Sequence, residues 1–95
     1  MKMGRVIGSV VATRKDPSLE GVKFLVVQQL ALDMEPEGGY VIAVDAVGAG
    51  PNDTVLIASG SSARQTDITR DRPVDAVIMA IIDSFDVNGK TTRLT

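Results

Sequence analysis

The sequence predicts an all-β domain built as one small barrel. Three observations carry that expectation: short runs rich in Val, Ile and Thr recur along the chain, glycines fall where strands would have to bend, and Asn88-Gly89 is a strong two-residue hairpin signal. A length of 95 residues suits a single domain spanning 1–95, and no internal repeat, linker or low-complexity block divides it.

The elements follow in order. Residues 5–13, dense in β-branched side chains, predict a first strand, with Gly4 and Gly8 marking a bend or bulge. Turn chemistry at Asp16-Pro17-Ser18-Leu19-Glu20-Gly21 ends it. A second strand is expected over 22–30, with both faces partly covered because its apolar run is long. Residues 33–39, with Pro36 and a Gly-Gly pair, read as a polar surface loop. Strands three and four are expected over 40–47 and 54–59, joined by a tight glycine-bearing connection at 48–53. Residues 60–65 predict one helical turn capped by a serine hydroxyl. Residues 67–72, of mixed charge, read as a mobile solvated loop. The run 74–85 fits both a helical stripe and a strand; the Asn88-Gly89 turn decides for strand, since 91–94 supplies its hairpin partner, and Met79 is assigned to the core. Five or more such strands with glycine corners suit a small, partly open antiparallel Greek-key barrel of the OB type. Its interior would be Val, Ile, Leu and Ala, and closure would hide adhesive strand edges.

Composition narrows the function. Hydrophobic residues are 44% and charged residues 23%, ordinary for a globular chain. The net charge of -2 offers no polycationic surface for phosphate backbones, and three aromatics (Phe24, Tyr40, Phe85) are too few for a base-stacking platform. Nucleic acid is therefore not an expected partner. Neither is a membrane, because no stretch approaches the roughly 20 apolar residues that span one, and the start lacks the apolar stretch of a secretory signal. The chain reads as intracellular. Without Cys there is no disulfide, thiolate nucleophile or cysteine-bound metal; without His the best proton-transfer side chain and commonest metal ligand is missing. No enzyme, cofactor or metal site is expected.

Several residues still have to be weighed for chemistry. Gly48-Ala49-Gly50 begins like a phosphate-cradling loop, but Pro51-Asn52-Asp53 and a strand follow where a nucleotide fingerprint needs a helix. A tight turn or a close approach to a neighbouring subunit fits better. Gly60-Ser61-Ser62-Ala63-Arg64 offers amides, hydroxyls and a guanidinium. A serine nucleophile there would need Lys15, Lys23 or Lys90 as its base, which no motif supports, so a capped turn with Arg64 paired to a carboxylate is expected. Asp45, Asp75 and Asp83 could act as paired carboxylates, but strand-end aspartates more often accept backbone amides or pair with Arg64, Arg70 or Arg72. A barrel this small buries a modest share of its surface. Long apolar strands then point to burial by copies of the chain itself.

A series of motifs in order resembles the EutN/CcmL family of bacterial microcompartment vertex proteins. They are Gly4-Arg5-Val6-Ile7-Gly8, Ala12-Thr13-Arg14-Lys15, Leu19-Glu20-Gly21-Val22-Lys23, Val41-Ile42-Ala43-Val44-Asp45-Ala46-Val47-Gly48-Ala49-Gly50, Val55-Leu56-Ile57, Gly60-Ser61-Ser62-Ala63-Arg64, Pro73-Val74-Asp75 and Ile81-Ile82-Asp83. The resemblance implies an OB-like barrel that forms cyclic pentamers. These would cap the corners of a polyhedral shell, within the bacterial cytoplasm, whose facets are tiled by hexameric proteins. It places Gly48, Ala49, Gly50, Asn52, Asp53, Ser59, Gly60, Ser61, Ser62, Ala63 and Arg64 near subunit contacts or an axial pore. The chain departs from the family pattern at Asn52-Asp53, where a glycine and then a glutamate are usual; Asn52 can still take a left-handed conformation. The likeness leans slightly toward catabolic compartments rather than carboxysomes. An OB-type binding module for an oligonucleotide or oligosaccharide is the alternative that the barrel alone would allow.

Overall fold

The computed structural model describes all 95 residues. Strands β1 (Lys2–Val10), β2 (Phe24–Leu30), β3 (Pro36–Asp45), β4 (Thr54–Ser59) and β5 (Ala76–Ile81) form a closed barrel in the order β1-β2-β3-β5-β4. The partly open barrel expected from sequence is thus closed, and it is not wholly antiparallel. β3 and β5 run parallel through the pairs Val44↔Val77 and Asp45↔Ile78, because β4 lies between them in the chain and pairs instead with β1 and β5.

Alternation along the strands fills the interior. Val6, Leu25, Val27, Ala43, Val55, Ile57, Ala76 and Ile78 point inward, and Ala49 enters from the loop after β3. None is larger than Leu or Ile, so the barrel can be narrow. Three strands are apolar on their outer face as well. Val44, Ala58 and Val77 pack outside the barrel with Ala63 and Val74, flanked by Leu19, Val22, Phe24 and Ala46. This second core explains why β3, β4 and β5 read as continuous apolar runs rather than alternating ones.

Two glycines in β1 do different work. Ile7 is the extra residue of a bulge, since Val6 pairs with Val27 while Gly8 pairs with Val26; Ile7 therefore points outward. Gly4 pairs with both Gln29 and Val55, and a Cβ there would collide with Val27 Cγ1 and stand 2.9 Å from the Gln28 carbonyl oxygen.

The turn at residues 16–21 contains a 3-10 helix, Pro17–Leu19. Asp16 caps it, accepting from the Ser18 hydroxyl at 2.6 Å and the Ser18 amide at 2.9 Å. The hydroxyl first, then the amide, holds the Asp16 carboxyl below its ordinary value of 3.8.

Four expectations need correction. Residues 36–39 are not loop: β3 begins at Pro36, because Gln28 and Gln29 donate to the carbonyls of Gly39 (3.0 Å) and Gly38 (2.9 Å) and hold the pair against β2. Positive φ at Gly38 (91°) and Gly39 (75°) permits that path. Residues 67–72 are not a wholly solvated loop. Thr69 is fully buried and its hydroxyl meets that of Thr66 at 2.6 Å, while Arg72 Nη1 donates to the carbonyls of Ser18 and Glu20, both at 2.8 Å. Met79 is outward-facing and 36% exposed, since alternation puts Ile78 inside. Finally, the run 74–85 is strand but not one strand. It breaks after Ile81, where the Ile82 amide bonds to the Thr54 carbonyl at 2.8 Å.

Beyond that break lies the anticipated hairpin, β6 (Ser84–Val87) and β7 (Lys90–Arg93). Asn88 (φ 50°) and Gly89 (φ 79°) are both left-handed, as a two-residue turn of this kind requires. The pair forms its own two-stranded sheet, separate from the barrel.

Two outcomes test this account. Gly4→Ala should lower stability by about 1–3 kcal/mol through overpacking, read as a lower urea midpoint. Because the folded pKa of Asp16 lies below its unfolded value, the cap stabilises above that value and is lost as pH falls through the folded one. The Ser18 amide resonance should therefore titrate below pH 3.8, and Asp16 in a Ser18→Ala variant should titrate closer to its ordinary value.

Candidate assembly surface

The residues singled out from sequence fall into two segments at opposite ends of β4. Residues 48–53 lead into Thr54, and the 3-10 helix Gly60–Arg64 leaves Ser59. At about 3.3 Å per residue the strand keeps them some 17 Å apart. The fold does not bring them together.

The first segment is organised by carboxylates. Asp45, only 7% exposed at the end of β3, accepts the amides of Val47 (3.1 Å), Gly48 (3.1 Å) and Ala49 (3.2 Å) on Oδ1. Asp53 Oδ2 accepts the Gly50 amide at 2.8 Å. The amides that could have cradled a phosphate are thus taken by the chain's own anions, and the tight-turn reading holds. Asn52 is left-handed (φ 70°), as anticipated; its amide bonds to the Val6 carbonyl and the Val6 amide to the Asp53 carbonyl, both at 2.9 Å. The short arm of Asp53 folds back on its own loop. Gly48 is exposed with φ 79°, and a Cβ built on it would meet nothing within 4 Å.

The second segment rests on one buried side chain. Ala63 is fully buried in the outer core, while Ser59, Gly60, Ser61, Ser62 and Arg64 are exposed. The expected serine cap is absent. Ser59 still pairs with Ala76 in the sheet, and the Gly60 amide goes instead to the Asp75 carbonyl at 2.8 Å. The expected carboxylate partner of Arg64 is replaced by a carbonyl, with Nη1 donating to Val74 O at 3.2 Å. The one ion pair in the chain, Arg70–Asp67 at 3.2 Å, is exposed and worth little. Gly60 (φ 65°) also has open space beside its Cα.

The other chemical readings find no site. Neither Ser61 nor Ser62 hydrogen-bonds a lysine, and Lys15 donates to the Ala12 carbonyl. Asp75 stands at one mouth of the barrel with Lys2 and Ser59 around a pocket of about 210 Å³, which has no aromatic wall. Tyr40 is the one largely exposed aromatic, at 70%. No cluster of acidic residues is placed to hold a metal ion.

A sequence model of the family described as "Ethanolamine utilisation protein EutN/carboxysome" matches residues 1–83. The chain belongs to the EutN/CcmL family. Among relatives, the carboxysome shell vertex protein CcmL of Synechococcus elongatus is 47% identical over 91 residues, covering 96% of this chain and 92% of that one. The structure of Gloeobacter violaceus CcmL superposes with a TM-score of 0.91 at 45% identity, over 96% of this chain and 94% of that one. GrpN, described as a pentameric microcompartment shell protein from Rhodospirillum rubrum, gives 0.82 at 41% identity, over 92% and 100%. The slight lean toward catabolic compartments is not upheld, since EutN of Salmonella typhimurium matches at 37%. The family members it resembles are described as shell vertex proteins.

What sequence reasoning missed is the support behind these segments: the Val6 backbone holds Asn52 and Asp53, and the Asp75 carbonyl takes the Gly60 amide, main-chain contacts for which a sequence carries no motif. Asp45→Ala should orphan three buried or half-buried amides and destabilise the fold by about 1–3 kcal/mol or more. Asp45→Asn, keeping one acceptor, should recover most of that loss in urea denaturation.

Proposed function

We propose that this chain is the vertex subunit of a bacterial microcompartment shell, in the cytoplasm, acting as a cyclic pentamer that caps a corner where hexameric tiles meet. The observation that carries the reading is likeness across almost the whole chain to shell vertex proteins, together with the fit of 92% of this chain to a pentameric shell protein. A flat hexagonal layer closes only if pentagons replace hexagons at isolated points, so the activity is a shape.

The fold suits that role. A ring is built from heterologous contacts, in which each subunit offers two different surfaces. Residues 48–53 and 59–64, held apart by β4, are two such surfaces on one rigid strand. The open space beside Gly48 and Gly60 allows a neighbouring backbone to approach closely. Exposed Ser61 and Ser62 would then border the axial opening, where hydroxyls can hydrogen-bond passing polar solutes without adding charge.

Native mass spectrometry at micromolar concentration should give five times the chain mass of 10.0 kDa; a single-chain mass would refute the reading. Ser62→Trp should shift the distribution to smaller species, each contact paying an overpacking penalty of about 1–3 kcal/mol, with the far-ultraviolet spectrum unchanged. Gly48→Val is a poorer probe, because its φ of 79° would also strain the fold.

A further inference from the structure

The chain has two asparagines, Asn52 and Asn88, and the fold treats them differently. Both are exposed and both are left-handed, with φ of 70° and 50°. An asparagine loses its side-chain amide when the backbone nitrogen of the next residue reaches its Cγ. That nitrogen has to be free of other bonds, unhindered by a side chain of its own, and able to swing toward Cγ.

At Asn52 the fold denies all three. The next residue is Asp53, whose amide donates to the Gly50 carbonyl at 3.1 Å. The segment is also fixed to β1, the Asn52 amide bonding to the Val6 carbonyl and the Val6 amide to the Asp53 carbonyl, both at 2.9 Å. The Asp53 side chain is held in turn by the Gly50 amide at 2.8 Å. Releasing the Asp53 nitrogen therefore means pulling the loop off the barrel.

At Asn88 the next residue is Gly89, which has no Cβ and open space where one would stand. Its amide has no hydrogen-bond partner, since the last rung of the ribbon is Val87↔Lys90. The closed turn fixes the Asn88 backbone, so the Gly89 nitrogen reaches Cγ only when the ribbon opens. That opening leaves the barrel intact. No hydrogen bond ties residues 84–93 to the barrel; the nearest are from Ile82 to Thr54 and from Leu94 back to Asp83. A ribbon of two four-residue strands is marginal in water, and such units open locally at the low end of a protein's stability range.

We propose that Asn88 is a self-modification site: its side-chain amide is lost through the Gly89 nitrogen, and one of the two products opens the hairpin for good. The Gly89 nitrogen gives up its proton and bonds to Asn88 Cγ. The side-chain carbon–nitrogen bond breaks, and its nitrogen leaves with that proton as ammonia. Water then opens the cyclic imide at one of its two ring carbon–nitrogen bonds, with no change of oxidation state. Breaking the bond to Cγ leaves aspartate; breaking the bond to the main-chain carbonyl leaves isoaspartate, with the chain now running through Cγ. Asp-Gly suits the same turn as Asn-Gly, so aspartate keeps the hairpin and adds one negative charge. Isoaspartate inserts a methylene into the main chain, and a two-residue loop of that length no longer fits the Val87↔Lys90 rung. The site is independent of the pentameric reading above.

Prolonged incubation of the full-length wild-type protein at mildly alkaline pH, folded and in urea, followed by mass mapping of its peptides, tests the site. Asn-Gly reacts faster than Asn-Asp in any unfolded chain, so each asparagine is compared with itself. Folding should slow loss at Asn88 by less than a hundredfold, an opening cost below about 2.8 kcal/mol, and should slow loss at Asn52 more strongly than that at Asn88. Protection of Asn88 by a hundredfold or more, or protection of Asn52 no greater than that of Asn88, overturns the site. The isoaspartate form, identified by labelling with a carboxyl methyltransferase specific for isoaspartate, should exchange the amides of residues 84–93 at least tenfold faster, with barrel amides unchanged. Asn88→Asp should exchange them as wild type does. A smaller gain in the isoaspartate form, or the same gain in Asn88→Asp, overturns the opening of the hairpin.

Discussion

The structure depends on closing five short strands around an interior no wider than aliphatic side chains can fill. At Gly4 that constraint is sharpest: the strand is bonded on both sides, and the Val27 side chain and Gln28 carbonyl occupy the space where a Cβ would stand. Closure leaves the barrel without free lateral edges along most of its circumference. It also explains the composition, since a narrow barrel has room for Val, Ile and Ala but little for aromatic rings.

A closed, narrow barrel has no cleft to spare, and its loops follow suit. Asp45 and Asp53 satisfy the amides of the glycine-rich connection from within, so that loop is a rigid shape rather than an anion receptor. The segment after β4 is held differently, by burial of Ala63 and by the Asp75 carbonyl on the Gly60 amide, in a turn whose other side chains face outward. The hairpin is the exception, being well formed by its turn yet poorly supported by its own chain.

Much of the fold was legible in particular residues. Asn88-Gly89 identified the hairpin because only left-handed residues make that turn. β4 was read to the residue, since Thr54 to Ser59 is a short β-branched run bounded by Asp53 and Gly60. The family likeness came from the order of the motifs. Harder to read were β3, extended to Pro36 by side chains of Gln28 and Gln29, and residues 67–72, fixed by an Arg72 contact to carbonyls more than fifty residues away.

The difference has one physical cause. Patterns of side-chain size, branching and turn residues act over a few positions, so the sequence alone determined the all-β class, the Asn88-Gly89 turn, the approximate position of most strands and the absence of cysteine or histidine chemistry. Which strands close against which, the parallel seam between β3 and β5, and the second core outside the barrel depend on contacts between distant segments. So do the separation of the two candidate surfaces along β4 and the exposure of Met79. Those were decided only by tertiary structure, because a carbonyl or a methyl group finds its distant partner through the shape of the whole barrel and not through its neighbours in the chain.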